Sequence, residues 1–248
     1  PPPPPPPPPP HFFNDPPTPA IYTPQHSSAA SDVYKRQGNI LSANSLAHVA
    51  RLANRHDLWV LSDEIYGRMA YDGEATSIVS LLGMAERTII ADGFSKTYAM
   101  TGWRLGFGVM PVPLAEKLDL LLTHSVGCSA TFTQYAGLEA VLGPQDEVDA
   151  VMQEFRRRRQ LIVDGLNAIP GIRCPMPRGA FYAFPNVTSF GLSSDELADY
   201  LMVKAGVAVL PGTSFGGNGE GYLRLSYANS MENIQRALEK ISAALAAL

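Results

Sequence analysis

The sequence predicts an α/β fold followed by a small α+β domain. Two apolar runs, residues 58–61 and 88–91, are each followed by polar residues, and a helical pattern precedes the first run. Short continuous apolar runs are typical of parallel strands that are buried on both faces and carry ligand residues at their carboxyl ends. A third apolar run lies at residues 105–110. We therefore expect a mostly parallel, doubly wound sheet with flanking helices.

The first 37 residues predict no folded structure. Residues 1–10 are all proline, and residues 11–37 continue with Pro, Ser, Thr and Ala but without helical or strand periodicity. An unbroken proline run forms an extended polyproline II rod or stays disordered. We interpret residues 1–37 as low-complexity sequence outside the folded domains. The alternative is a ligand for a proline-recognition module.

The elements of the α/β part begin after residue 38. Ser42 is a candidate N-cap, because apolar residues follow it at helical spacing: Leu46, Val49, Ala50 and Ala53. Residues 58–61 then predict a fully buried strand, and residues 88–91 and 105–110 predict two more. Further helices are expected at residues 114–123 and 134–142.

A long helix over residues 145–167 is expected to bridge a partial large domain (38–150) and a small C-terminal domain (151–248). Its arginines at 156–159 could bind phosphate, but a solvated face with Glu154 paired to Arg158 is the simpler interpretation. The small domain predicts strands within 180–184, 207–210 and 222–226 and helices over 195–205 and 231–248. Asn229 or Ser230 is expected to cap the last helix.

Composition and charge exclude several classes of function. The net charge of −4 argues against a general nucleic-acid binder. Cys128 and Cys174 lack metal-ligand spacing and the histidines form no cluster, so we expect no metal and a reducing, cytoplasmic compartment. No apolar run reaches membrane-spanning length, and the N-terminus lacks the pattern of a signal peptide. A hydrophobic content of 46% and a charged content of 17% fit a soluble globular protein.

Residues 92–104 carry the clearest functional signal, just past the second predicted strand. They bring together the amine of Lys96, the hydroxyl of Ser95 and the guanidinium of Arg104. A lysine amine condenses with an aldehyde to form a Schiff base, and Arg104 and Ser95 can hold a phosphate beside it. Glycines at 93, 102, 106 and 108 allow a close approach of the backbone to a ligand. An aldehyde that carries a phosphate describes pyridoxal 5′-phosphate (PLP).

Residues 92–104 also resemble the lysine signature of the fold-type I, class I/II aminotransferases, and the resemblance covers residues 38–248. It implies a PLP cofactor bound by Lys96, with Arg104 and Ser95 at its phosphate. The implied reaction moves an amino group between an α-amino acid and a 2-oxo acid, and the overall pattern favours the aspartate-type branch. Family members are usually homodimers. Many of them have a serine where this chain has Gly93, so we expect a rearranged phosphate cup.

Residues 60–66 resemble the aspartate–tyrosine motif of the same family. This resemblance implies that Asp63 lies beside the pyridine nitrogen of PLP, where a carboxylate favours the protonated ring and so strengthens it as an electron sink. It also implies that Tyr66 hydrogen-bonds the phenolic oxygen of the cofactor. We expect a structural role for Glu64.

Two further motifs concern the substrate. Arg224 alternates with Leu223 and Leu225, so it faces away from them and can clamp an α-carboxylate bidentately. Residues 220–227 resemble the family's carboxylate-arginine motif. Gly38 matches the glycine that ends the Asn-Pro-Thr-Gly motif, although residues 35–37 are Lys, Arg and Gln here. Residues 177–182 and 210–216 resemble glycine-rich turns that should line the cleft.

The resemblance implies the C-terminal part of the large domain plus the small domain. The family's phosphate loop at a helix N-terminus, the aromatic that stacks on the ring and several central strands have no counterpart. We therefore expect an N-terminally truncated, poorly active chain that holds PLP weakly. The alternatives are another PLP-dependent lyase, decarboxylase or synthase, or a non-catalytic sensor or structural fragment. A Rossmann dehydrogenase is disfavoured, because residues 106–108 lack the third glycine.

Overall fold

A computed structural model of the chain describes residues 38, 40–73 and 75–248. The interpretation of residues 1–37 as low-complexity sequence lies outside the described residues. In the described part, the helices are α1 (Ala43–His56), α2 (Val112–Ser125), α3 (Thr131–Leu142), α4 (Asp146–Asn167), α5 (Ser194–Ala205) and α6 (Met231–Leu245). The strands are β1 (Val60–Asp63), β2 (Thr88–Gly93), β3 (Gly106–Val109), β4 (Tyr182–Ala183), β5 (Leu210–Pro211) and β6 (Leu223–Ser226).

The first sheet has the strand order β1-β2-β3. Strand β1 pairs with β2 in parallel, with Asp63 opposite Ala91, whereas β2 pairs with β3 in the antiparallel sense, with Gly93 opposite Gly106. The parallel arrangement that we expected therefore holds for β1 and β2 and not for β3. The reason is local: the N–H of Phe94 donates to the Leu105 carbonyl at 3.2 Å, which turns the chain back beside β2.

The second sheet is antiparallel throughout, with β6 between β4 and β5. Its central strand shows the predicted alternation, because Leu223 and Leu225 are buried while Arg224 between them is half-buried on the opposite face. The pairing sets Tyr182 opposite Ser226 and Leu210 opposite Arg224. This register places β4 and β5 on either side of the arginine.

Helix caps follow the local sequence. The Ser42 hydroxyl accepts the N–H of Ser45 at 3.1 Å, as predicted. Of the two candidate caps for α6, Ser230 is the cap, and its hydroxyl accepts the N–H of Asn233 at 3.2 Å. On α4, the predicted pair between Glu154 and Arg158 forms at 2.9 Å. These contacts depend on residues three or four positions apart, which is why sequence alone could predict them.

The main core lies where α4, α5 and α6 cover the second sheet. Leu166, Leu197 and Ile241 are almost fully buried in it, and Met69 and Tyr71 from the loop after β1 join the same cluster. A smaller cluster forms between α1 and the first sheet, with Leu46, Ala50, Ala53, Ile78 and Met84 as its buried members. The loop after β1 therefore packs against the C-terminal core.

The predicted strand at 58–61 differs from the observed one in extent and burial. Strand β1 begins at Val60, which packs against the α1 cluster, while Leu61 on the opposite face is 67% exposed. Successive residues of a strand point to opposite faces, so one covered face does not bury both. The expectation of a fully buried strand is thus wrong for the described residues.

Candidate active site

The loop between β2 and β3 presents the predicted lysine. Its two ends are joined by the Phe94–Leu105 hydrogen bond, and Ser95 and Arg104 are the next residues inward from this pair. Within the loop, the carbonyl of Lys96 accepts the N–H of Ala99 at 3.3 Å. Arg104 adopts a left-handed backbone conformation with φ 53° and donates to the Thr101 carbonyl at 3.0 Å. Ser95 and Arg104 thus lie at the start and at the end of the loop that carries Lys96.

The backbone that lies against residue 93 accounts for the glycine found there, where many sequences of the resembling family have a serine. A Cβ built on Gly93 would lie 3.0 Å from the Cα of Gly106 and 3.0 Å from the Leu105 carbonyl oxygen. Both atoms belong to the backbone of the paired strand, which cannot move aside as a flexible side chain could. The close approach of β2 and β3 therefore favours glycine, and only the backbone of residue 93 faces the loop.

Two aromatic rings lie near the amine of Lys96. Its Nζ lies 5.9 Å from the ring centre of Tyr66 and 5.7 Å from that of Phe181, and the side chain is half-buried. The face of an aromatic ring attracts a cation at this range. The two rings come from the loop after β1 and from the residue before β4, so the amine stands between the two sheets.

Tyr66 lies near three other predicted site residues, namely Lys96, Arg224 and Asp63. Its hydroxyl and that of Tyr182 form a hydrogen bond of 3.0 Å. Burial raises the pKa of Tyr66, and the bond to Tyr182 adds to the rise; the charge of Arg224 lowers the pKa and that of Asp63 raises it. The phenol therefore stays protonated at neutral pH and can donate a hydrogen bond. Both charged groups are near enough to act on this one hydroxyl.

Arg224 is held between two rings. Its guanidinium carbon lies 4.4 Å from the ring centre of Tyr182 and 4.2 Å from that of Phe215. A planar guanidinium that lies over aromatic rings has few orientations open to it, and its N–H donors point outwards in the plane of the guanidinium itself. The rings thus pre-orient Arg224 for a planar anion such as a carboxylate.

Asp63 ends β1 at the edge where the loop of Lys96 begins. Its carboxylate accepts the N–H of Ile65 at 3.2 Å, and the N–H of Glu64 donates to the Ala91 carbonyl of β2 at 2.8 Å. Glu64 accepts hydrogen bonds from the hydroxyls of Ser62 (2.9 Å) and Ser77 (2.8 Å). These bonds agree with the expected structural role of Glu64.

Gly38 lies beside Tyr182, the residue that contacts both Tyr66 and Arg224. Its carbonyl accepts the N–H groups of Arg178 (2.7 Å) and Gly179 (2.9 Å). Its backbone has φ +76°, and a Cβ would lie 2.5 Å from the Tyr182 carbonyl oxygen. A residue with a side chain does not fit here, so the glycine allows this close approach to the segment before β4.

The structure brings some predicted residues together and leaves others apart. Lys96, Tyr66, Arg224 and Gly38 meet around Phe181 and Tyr182. Arg104 lines an open groove with residues of α2 and α3, including Asp119, Ser129, Phe132 and Thr133.

Three aromatic residues contact the predicted site residues in ways that the sequence did not indicate: Phe181 contacts Lys96, and Tyr182 and Phe215 contact Arg224. They lie in the two glycine-rich segments expected to line the cleft, which was the available signal. Which ring would face which charge could not be read from the motif.

The donor set fits a PLP molecule. It offers an amine that can bind an aldehyde, a protonated phenol for an oxygen and a carboxylate for a ring nitrogen. The hydroxyl of Ser95 and the guanidinium of Arg104, at opposite ends of the lysine loop, are groups that can bind a phosphate. Across residues 38, 40–73 and 75–248, no group of three or more His, Cys, Asp or Glu residues could hold a metal ion. None of the helices in that same part is both long and apolar enough to cross a membrane.

The α/β fold and the lysine loop agree with a PLP-dependent enzyme of fold type I, and sequence comparison specifies the family. The model of the family "Aminotransferase class I and II" matches residues 35–241. The chain therefore belongs to the class I and II aminotransferases, whose members use pyridoxal phosphate.

Relatives and solved structures agree with this assignment. The chain is 45% identical over 204 residues to YugH of Bacillus subtilis (strain 168), a protein assigned as an aminotransferase, covering 82% of this chain and 53% of that one. It is 42% identical over 211 residues to an aspartate aminotransferase of Pyrococcus abyssi, covering 84% and 54%. An aromatic aminotransferase structure from Pyrococcus horikoshii superposes with a TM-score of 0.82 at 40% identity, covering 85% of this chain and 57% of that one. The chain thus spans about half the length of the curated relatives it matches.

Proposed function

We propose that the protein to which this chain belongs transfers an amino group between an α-amino acid and a 2-oxo acid, with PLP bound covalently to Lys96. The observation that carries the proposal is the convergence of the Lys96 amine, the Tyr66 hydroxyl and the Arg224 guanidinium on the rings of Phe181 and Tyr182. For the substrate we propose the aspartate-type branch, which the aspartate aminotransferases among the relatives support, with an aromatic amino acid as the alternative because a relative of equal identity is an aromatic-amino-acid aminotransferase.

The roles follow from the chemistry of each side chain. Bound PLP supplies an electron sink for the carbon next to the substrate nitrogen. Lys96 binds the cofactor aldehyde and, when released, is a base that moves a proton at the substrate α-carbon. Tyr66, protonated because it is buried, donates a hydrogen bond to an oxygen of the cofactor.

The remaining residues orient the cofactor and the substrate. Asp63 keeps the ring nitrogen protonated. Ser95 and Arg104, at the base of the lysine loop, hold the phosphate. Arg224 binds the substrate α-carboxylate with its pre-oriented fork, and Gly38 provides backbone beside it. Positioning of this kind lowers the barrier because the reacting groups need not be ordered during the reaction.

We further propose that the active protein needs residues equivalent to the rest of its relatives' length. The chain covers about half of the curated relatives, so it carries the lysine side of the site and holds PLP weakly as a chain of 248 residues. A cytoplasmic homodimer is the assembly that we propose. Cys128 and Cys174 are free thiols, which a reducing compartment maintains.

Substitution of the lysine tests the function. In the parent protein, borohydride should trap a covalent cofactor adduct, and peptide mapping should locate it at residue 96. Lys96→Ala should abolish both this adduct and keto-acid formation. The matched control is Lys117→Ala, which removes an exposed lysine of α2 and should leave both unchanged. Release of ammonia or carbon dioxide in place of a new amino acid would show a different PLP reaction. An adduct at any other lysine would refute the role of Lys96.

A further inference from the structure

Two buried tyrosine hydroxyls converge on one backbone carbonyl next to the site. Tyr71 donates to the carbonyl of Ala180 at 2.5 Å. The Tyr227 hydroxyl reaches the same carbonyl at 3.1 Å and the Tyr71 oxygen at 3.3 Å, so its single proton is shared between them. Tyr71 is 5% exposed and Tyr227 is fully buried. Each buried hydroxyl needs a hydrogen-bond partner, and both find it in the same main-chain oxygen.

The carbonyl that they bind belongs to a residue in an unusual conformation. Ala180 has φ 56°, in the left-handed region that residues with a side chain rarely adopt. Such a conformation persists where surrounding contacts over-determine it, and it is a common feature of sites whose geometry matters. The two phenols supply these contacts, together with the N–H of Ala180, which donates to the Met69 carbonyl at 3.1 Å.

Each of the three chain segments that meet at this carbonyl also carries a site residue. Tyr71 follows Tyr66 by five positions, and Tyr227 follows Arg224 by three. Ala180 directly precedes Phe181, whose ring faces Lys96. The N–H of Tyr227 donates to the Phe181 carbonyl at 3.0 Å, which adds a second bond between the same segments.

Arg159 of α4, whose side chain is 13% exposed, also contacts this arrangement. The guanidinium carbon of Arg159 lies 4.4 Å from the ring centre of Tyr71, and the same side chain donates to the Pro177 carbonyl at 2.9 Å. It therefore holds both Tyr71 and the start of the segment that leads to Ala180. Burial raises the pKa of Tyr71 and of Tyr227, so both phenols remain protonated donors at neutral pH.

We propose that Tyr71 and Tyr227 are positioning residues, whose hydroxyls hold Ala180 so that Phe181 faces Lys96 and Tyr182 faces both Tyr66 and Arg224. This inference rests on the proposed amino-transfer function. It assigns a role to the segment 177–182, which is otherwise only a turn beside the cleft. Loss of either hydroxyl should make the orientation of the Tyr182 ring less fixed and so weaken binding of the substrate carboxylate by Arg224. The buried aromatic ring of residue 71 or 227 itself should stay in place.

The variants Tyr71→Phe and Tyr227→Phe remove the hydroxyls and keep the ring volume. The matched control is Tyr200→Phe, since the Tyr200 hydroxyl also donates to a backbone carbonyl (Ala244, 2.9 Å) but joins α5 to α6 away from the site. Hydrogen–deuterium exchange of the peptide spanning residues 178–184 is measured without cofactor, and KM and kcat for amino-acid transfer are measured on the active protein.

In both test variants, exchange in residues 178–184 should be faster and KM for the amino acid should rise about tenfold, equivalent to about 1.4 kcal/mol, with a smaller change in kcat. The control should lose stability without either effect. Unchanged exchange, or a KM within about twofold of the parent in both variants, would overturn the inference. If the parent transfers no amino group, the proposed function fails, and the exchange measurement alone then decides whether the phenols hold this segment.

Discussion

Replacement of Arg224 by lysine separates the charge of the arginine from its shape. Both side chains are cationic, but lysine lacks the planar fork that lies between the rings of Tyr182 and Phe215. If the pre-oriented fork is what binds the α-carboxylate, Arg224→Lys should weaken substrate binding strongly although the charge is retained. The variant therefore tests the geometry of the site and not only its electrostatics.

The size of the effect follows from the contacts that are lost. Ring-to-cation centres at 4.4 Å and 4.2 Å are well within the range of a cation–π interaction. Weakening both contacts costs about 1 kcal/mol. Losing one of two charge-assisted hydrogen bonds to the carboxylate costs about 1.5 kcal/mol more. The sum of about 2.5 kcal/mol corresponds to a factor of about 70 in KM.

Initial rates of keto-acid formation at varied amino-acid concentration provide the assay. We expect KM to rise about 70-fold and kcat to change less than about threefold, because the carboxylate is bound equally in the ground state and the transition state. An amine with the same side chain but no carboxylate should react at the same rate in parent and variant. The control is Arg236→Lys, an exposed arginine on α6. A KM within about threefold of the parent would refute the role of the stacked guanidinium.

Three further predictions concern stability and reactivity. Gly38→Ala should lower the free energy of unfolding by about 2–4 kcal/mol in a urea titration, because φ is positive and a Cβ would meet the Tyr182 carbonyl oxygen. The control is Gly102→Ala, which should have little effect because a Cβ there meets nothing within 4 Å. Equal losses of stability in the two variants would contradict the argument. Leu238→Ala, at a residue 6% exposed in the α4–α6 packing, should cost about 2–5 kcal/mol and more than Leu248→Ala at 51% exposure. Burial raises the pKa of the Cys174 thiol from 9.0 to about 12, so the protonated thiol contributes fully to stability below pH 9.0, and this contribution is lost as the pH rises towards 12. Cys174→Ala should therefore flatten the loss of stability at alkaline pH. A thiol reagent should modify the exposed Cys128 but not the buried Cys174 in the native chain.

Local features of the fold followed from sequence to within a few residues. The caps Ser42 and Ser230 and the Glu154–Arg158 pair depend on contacts within one helical turn, so composition and spacing suffice to predict them. The orientation of β3 and the exposure of Leu61 depend on what lies beside a strand, which periodicity does not encode. An apolar run shows that a strand can be buried, but not which of its faces is covered.

The sequence by itself determined the chemistry that this protein can offer. The lysine signature and the motifs around Asp63, Tyr66 and Arg224 identified the family, its cofactor and the side chains expected to hold it, because those motifs are short and contiguous. The residues between them carried no comparable information about contacts. Phe181 and Tyr182 were expected only to line a cleft.

Only the tertiary structure decided how these side chains meet. Tyr66 and Tyr182 are 116 positions apart, and Tyr71 and Tyr227 are 156 apart, yet each pair is joined by a hydrogen bond. Contacts over such separations depend on the packing of the loop after β1 against the C-terminal core, which places Met69 and Tyr71 among residues of α4 and β6. That packing sets the orientation of Lys96 and Arg224 relative to the rings, because a motif specifies a residue type whereas the core fixes where its backbone lies.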